Sequence, residues 1–182
     1  MPRRAFTLLE LLVTIAITGI LAAMIFSNFS SERYRNNLKA SVRQLQIDIQ
    51  AMQTNAQAGV VLPGTSVVPN GYGVVVETTP PTTYKLFADQ TGGTTSIYDP
   101  GELLRLRTLP GTDNDISLIV SASPLNIVFT RPNGSAVITP PPVSPETSSR
   151  IIIKSDKLKI CYAITVTTTV GTVSNRKLAL CP

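Results

Sequence analysis

The sequence predicts an α+β protein: a long N-terminal α-helix, membrane stem in its first half and amphipathic in its second, packed on an antiparallel β-rich C-terminal head. Three observations predict it. An apolar run of 21 residues, Phe6 to Phe26, holds one charge, Glu10. Leu38, Val42, Leu45, Ile49, Met52 and Ala56 then recur at alternating spacings of four and three, the stripe of a helix with one buried face. Beyond Gly59 the chain changes to short runs rich in Val, Ile, Thr, Leu and Tyr, separated by Gly, Pro, Asn and Asp.

Each element follows in order. Residues 1–5, MPRRA, form a short basic leader carrying Arg3 and Arg4. Residues 6–29 form the membrane-spanning part: as a helix, 21 apolar residues rise roughly 31 Å, close to the hydrocarbon thickness of a bilayer. The arginines on the N-terminal flank predict a cytoplasmic N-terminus and a translocated remainder. No proline stands between Pro2 and Pro63, and Gly19 is the only glycine before Gly59. One helix can therefore continue through 30–58, and its striped face needs a partner to pack on. The head, 59–182, holds roughly eight strand-like runs: 71–77, 83–89, 102–109, 116–120, 126–130, 150–154, 157–168 and 176–181. Two proline- and hydroxyl-rich stretches, 78–83 and 139–149, read as exposed connections between them.

Composition narrows the chemistry. The 182 residues contain neither His nor Trp, which removes the commonest general base and the commonest zinc ligand. Neither an enzyme nor a bound cofactor or metal is expected. The mean hydropathy of +0.20 and the 15% charged residues argue against wholesale disorder. The net charge of +5 is unevenly placed: residues 59–149 carry −3, whereas 150–182 set Arg150, Lys154, Lys157, Lys159, Arg176 and Lys177 against Asp156 alone.

The block Ala5–Ala22, AFTLLELLVTIAITGILA, resembles the N-terminal signal of type IV prepilins and pseudopilins. The resemblance implies cleavage by a prepilin peptidase between Ala5 and Phe6, with Ala5 standing where the family usually has Gly. It implies N-methylation of Phe6, and it makes Glu10 the family's fifth-position glutamate, which pairs with the freed amine of a neighbouring subunit on filament assembly. A carboxylate within a spanning helix costs about 2.5–3.5 kcal/mol on insertion scales, so a partner is expected on physical grounds too. A plainer role for Glu10 is to favour the helix dipole or reach the headgroups. An ordinary secretory signal, with ILAA at 20–23 as its cleavage site, is the competing reading of the whole segment. Against that reading stand the acid inside the run and the absence of a helix break.

The head is similar to that of the GspH/FimT group of pseudopilins and minor pilins, through NGYGVVVE (70–77), YKLFADQTGG (84–93) and IVFTRPNGSA (127–136). The best-matching element is Phe129, Pro132 and Gly134. The family implies a pilin-like lollipop, held in the inner membrane by a single pass with its head outside the cytoplasm. An assembly ATPase and a platform protein would then draw it into a periplasmic or extracellular filament with other pilin or pseudopilin subunits.

Three further groups are weighed. Cys161 and Cys181 lie where an oxidising compartment permits a disulfide worth roughly 3 kcal/mol, or they are two buried thiols. Asp89, Asp99 and Glu102 surround glycines in a segment that reads as a solvated hairpin turn before it reads as a calcium loop. The basic set at 150–182 fits an ordinary solvated sheet face, with Lys157 and Lys159 alternating against Leu158 and Ile160. The alternative is a pilus-mounted DNA receptor for competence that grips phosphates through the same residues.

Overall fold

The computed structural model describes residues 7–62, 64–90, 97–110, 115–142, 147–168 and 171–182, with the side chains of 25–30 excepted. Helix α1 spans Leu8–Ala58, and the αL conformation of Gly59 ends it. A Cβ at a φ of 60° would be strained, which is why a glycine serves there. Nine strands follow among the described residues: β1 Gly71–Val76, β2 Thr83–Asp89, β3 Leu103–Thr108, β4 Ile116–Val120, β5 Leu125–Thr130, β6 Ser135–Thr139, β7 Ser148–Ser155, β8 Ile160–Thr167 and β9 Val173–Lys177. They form two antiparallel sheets, ordered β3-β2-β1-β5-β6 and β4-β7-β8-β9. Helix α1 lies against β1 and β5 of the first sheet and β7, β8 and β9 of the second.

All six residues of the expected helical stripe are buried at this seam, with Leu45, Ile49 and Ala56 fully closed to solvent. They meet Tyr72, Val74 and Val76 of β1, Ile127 and Phe129 of β5, and Ile151, Ile153, Ile164 and Val166 of the second sheet. The core is therefore one continuous body with the helix as its spine. A second, small cluster on the far face of the first sheet joins Val75, Phe87 and Val128, with Tyr98 packed edge-on to Phe87 at 5.4 Å. Gly73 makes this possible. A Cβ there would stand 2.6 Å from the Phe87 ring, so the aromatic occupies the space a side chain would need.

One polar network crosses the seam. The buried Asp48 of α1 accepts a hydrogen bond from the Tyr84 hydroxyl at 2.6 Å and another from Arg107 Nη2 at 3.2 Å. Arg107 Nε also lies 3.1 Å from this carboxylate, without the alignment of a hydrogen bond. Gln44 donates to the Tyr84 oxygen from one turn earlier. Burial, then the bond to Asp48 and its negative charge, push the Tyr84 hydroxyl well above the ordinary tyrosine range.

The structure changes several details of the expected strand list; β7, for one, begins at Ser148, inside the stretch 139–149 expected as an exposed connection. Ser135–Thr139 is a strand in its own right, paired with β5 through a tight turn. The final strand is Val173–Lys177 rather than 176–181, because pairing with β8 places Val173 opposite Val166 and Lys177 opposite Tyr162.

Candidate functional site

Among the expected N-terminal groups, Ala5 and Phe6 lie outside the described residues. Thr7 is the N-cap of α1, and its hydroxyl accepts from the Glu10 backbone N–H at 3.3 Å. The Thr–x–x–Glu spacing at residues 7–10 is the sequence signal of such a cap. Glu10 is exposed in the first turn, where a carboxylate also favours the helix dipole. The large apolar side chains of this stretch are exposed among the described residues: Leu8 is 83% exposed, Leu12, Ile15 and Met24 are each 63% exposed, and Ile20 is 60% exposed.

Among the described residues, no helix is long and apolar enough to cross a membrane. The uninterrupted stretch with described side chains, 8–24, rises about 25 Å, short of a hydrocarbon layer of about 30 Å. Both ends of the expected 6–29 span, Phe6 and the side chains of 25–29, fall outside it.

The six basic residues of 150–182 do not form one face. Strand register puts Arg150, Lys154 and Arg176 on the outer side of the second sheet, through Arg150 opposite Thr165, Lys154 opposite Cys161, and Arg176 opposite Ala163. Lys154 is paired with Asp156 at 3.1 Å. Lys177 falls on the opposite side, toward α1, where it lines a cavity of about 250 Å³ with Arg35, Leu38, Lys39, Ile160 and Tyr162.

Lys157 and Lys159 are not strand residues, which corrects the expected alternation. They belong to the turn between β7 and β8, and Lys159 adopts a φ of 54°. Asp115 builds this turn. Its carboxylate accepts from Ser155 Oγ at 2.7 Å and from the Lys157 backbone N–H at 2.6 Å, and its own carbonyl accepts from the Asp156 N–H. From the turn, the Lys157 ammonium reaches α1 and donates to the Tyr34 hydroxyl at 2.7 Å. The Ser155–Asp156 pair was the local turn signal; the acceptor that fixes it lies forty residues earlier in the chain.

Cys161 and Cys181 are joined in a disulfide with Cα atoms 5.6 Å apart, which ties residues 178–181 to the start of β8. Glu102, in the segment weighed as a calcium loop, is buried and accepts from the backbone N–H groups of Gln90 and Asp99. It thereby links Gln90 to Asp99 across the described ends of that segment. Among the described residues no cluster of three acidic, His or Cys side chains suits a metal ion.

The best-matching head element is a hairpin end. Phe129 enters the core, and Gly134, at a φ of 66°, donates to the Thr130 carbonyl at 2.8 Å. Gln53 of α1 donates to the Gly134 carbonyl, and Gln57 packs against the glycine where a Cβ would sit. The motif thus docks the β5–β6 turn on the helix.

Residues 1–26 of the 182 match the prokaryotic N-terminal methylation motif. Neither curated proteins nor solved structures give a match to the chain. The motif indicates a type IV pilin-like or pseudopilin precursor, handled by a prepilin peptidase and assembled with other pilin subunits.

Proposed function

We propose that this chain is a structural subunit, a pseudopilin or minor pilin of the GspH/FimT kind, in a type IV pilus or a type II secretion-type filament. The observation that carries the reading is the exposed, largely apolar stem Leu8–Met24, with Glu10 its only charge, lying within the methylation motif. Water is a poor solvent for such a surface, so it needs lipid or the stems of other subunits around it. Cleavage after Ala5 gives Phe6 a free, then methylated, amine. Residues 6–29 hold the subunit in the cytoplasmic membrane with the head outside, until the platform protein and ATPase draw it into the filament. There Glu10 meets the amine of Phe6 in the adjacent copy, and both charges are neutralised as the stems pack.

The Glu10→Ala variant tests the pairing. Membrane insertion is expected to persist while incorporation into filaments falls; normal incorporation would sink the pairing argument. Mass analysis of the mature N-terminus tests the processing, with methyl-Phe6 expected and a start near Met24 pointing instead to a secretory signal.

A second reading, a DNA receptor on a pilus, draws support from Arg150, Lys154 and Arg176 sharing one side of the second sheet. Its measure is a gel shift of the full chain in neutral detergent. Binding that weakens steeply with salt, and that is lost when these three become Gln, favours it. No shift at low salt removes it.

A further inference from the structure

The positive charge of 150–182 acquires a location in the fold that the linear sequence does not reveal. Lys157, Lys159 and Lys177 come to the end of the head nearest the N-terminal half of α1. Lys157 reaches Tyr34, and Lys177 shares a cavity with Arg35 and Lys39. With Arg33 on the same stretch of helix, six cations gather there. The acids at this end are Glu32, 3.6 Å from Arg35, Asp156, already paired with Lys154, and Asp115, buried in the turn and engaged by Ser155 and the Lys157 N–H. Lys39 and Lys177 have no ion pair among the described residues. The cavity they line has an apolar floor of Leu38, Ile160 and Tyr162, and no acid contributes to its wall.

Position along the helix says what this end faces. Arg35 follows residue 29, the expected end of the span, by a rise of about 9 Å, and the headgroup layer on each side of a bilayer is about 5–7 Å deep. Side chains of an α-helix lean toward its N-terminus, so Arg35 and Lys39 point back toward that layer. On the outer side of the same sheet end, the disulfide sets an apolar group near the β7–β8 turn. It holds Cys181 with its sulfur 3.5 Å from the Lys159 carbonyl, and the neighbouring Leu180 is 86% exposed. Three cations around a partly apolar cavity, with an exposed leucine at the same end of the sheet, are complementary to an anionic lipid surface.

We propose that the base of the head is a membrane-contacting foot, in which Arg35, Lys39 and Lys177 bind the phosphate of an anionic phospholipid and Leu180 dips into the interface. This rests on the membrane-anchored reading above. The foot keeps the head upright on the bilayer while the subunit waits for assembly, and it must be released when the subunit is extracted.

The test uses the full chain reconstituted into vesicles of phosphatidylcholine alone, or of phosphatidylcholine with phosphatidylglycerol. Amine-reactive labelling is read by mass spectrometry at each lysine. Labelling of Lys39 and Lys177 is expected to fall about fivefold in the anionic vesicles, with Lys85 in the first sheet unchanged as the control. An Arg35→Gln, Leu180→Ser variant is expected to abolish this protection while floating with the vesicles as the parent chain does. Equal labelling in the two vesicle types overturns the proposal. So does equal protection by inorganic phosphate added to neutral vesicles, which marks a free-anion site, or protection by duplex DNA with none from phosphatidylglycerol. Failure to float with either vesicle overturns the anchored reading itself, a result distinct from floating without protection.

Discussion

Tyr84 illustrates how a single hydroxyl couples a strand to the helix and makes stability depend on pH. Its folded-state pKa is raised by burial and by the Asp48 carboxylate it serves. The folded chain therefore keeps a proton that the unfolded chain releases, since a free tyrosine titrates near about 10. The stabilisation is complete below that pH and declines as the pH climbs above it. Tyr84→Phe removes the donor to a buried carboxylate and should destabilise the head by about 1–3 kcal/mol near neutrality. It should also flatten the alkaline fall in melting temperature relative to the parent chain, as measured by circular dichroism. An unchanged alkaline slope would mean that other groups govern it. Nothing local in the sequence marks this pair, because Asp48 and Tyr84 are 36 residues apart and each looks like an ordinary surface or strand residue.

At the scale of elements, the helix was the most readable part of the molecule. Its stripe has a period that only one buried face explains, and each of its six positions lies in the core. Ile49, fully enclosed among both sheets, is the sharpest probe: Ile49→Ala should cost about 2–5 kcal/mol, measured by urea unfolding of the full chain in detergent. A loss of a few tenths would mean that the helix does not close the core. The strands were less readable for definite reasons. Ser135–Thr139 is short and was absorbed into the turn motif before it. At the last strand, Leu178–Cys181 has the composition of a strand, yet β8 pairs with the polar, exposed Ser174–Lys177 and the disulfide draws the apolar segment aside. The 157–159 alternation failed because Asp115, remote in sequence, captures the turn.

Taken whole, the molecule divides between a surface that suits water and one that does not. The head gathers most of its large apolar residues into one main core and a small second cluster, whereas Leu8–Met24 leaves its large apolar side chains outward. A chain shortened to 30–182 should accordingly be soluble without detergent and retain the far-ultraviolet spectrum of the head, while the full chain needs detergent or vesicles. Comparable solubility of the two would contradict the role assigned to the stem. The site residues were legible as types and poorly legible as a constellation. The methylation motif is contiguous and could be read directly, but the cavity of Arg35, Lys39 and Lys177 is assembled by β9 returning to the helix.

That return has a consequence for synthesis. Asn175 of β9 hydrogen-bonds Gln46 of α1 across 129 residues of chain, and β7 and β8 lie on the same helix. The striped face of α1 leaves the ribosome early and β1 follows soon after, but β7, β8 and β9, which cover the rest, come last. Until they do, part of the apolar stripe lacks its cover. Completion of the core thus waits for β9 to be synthesised.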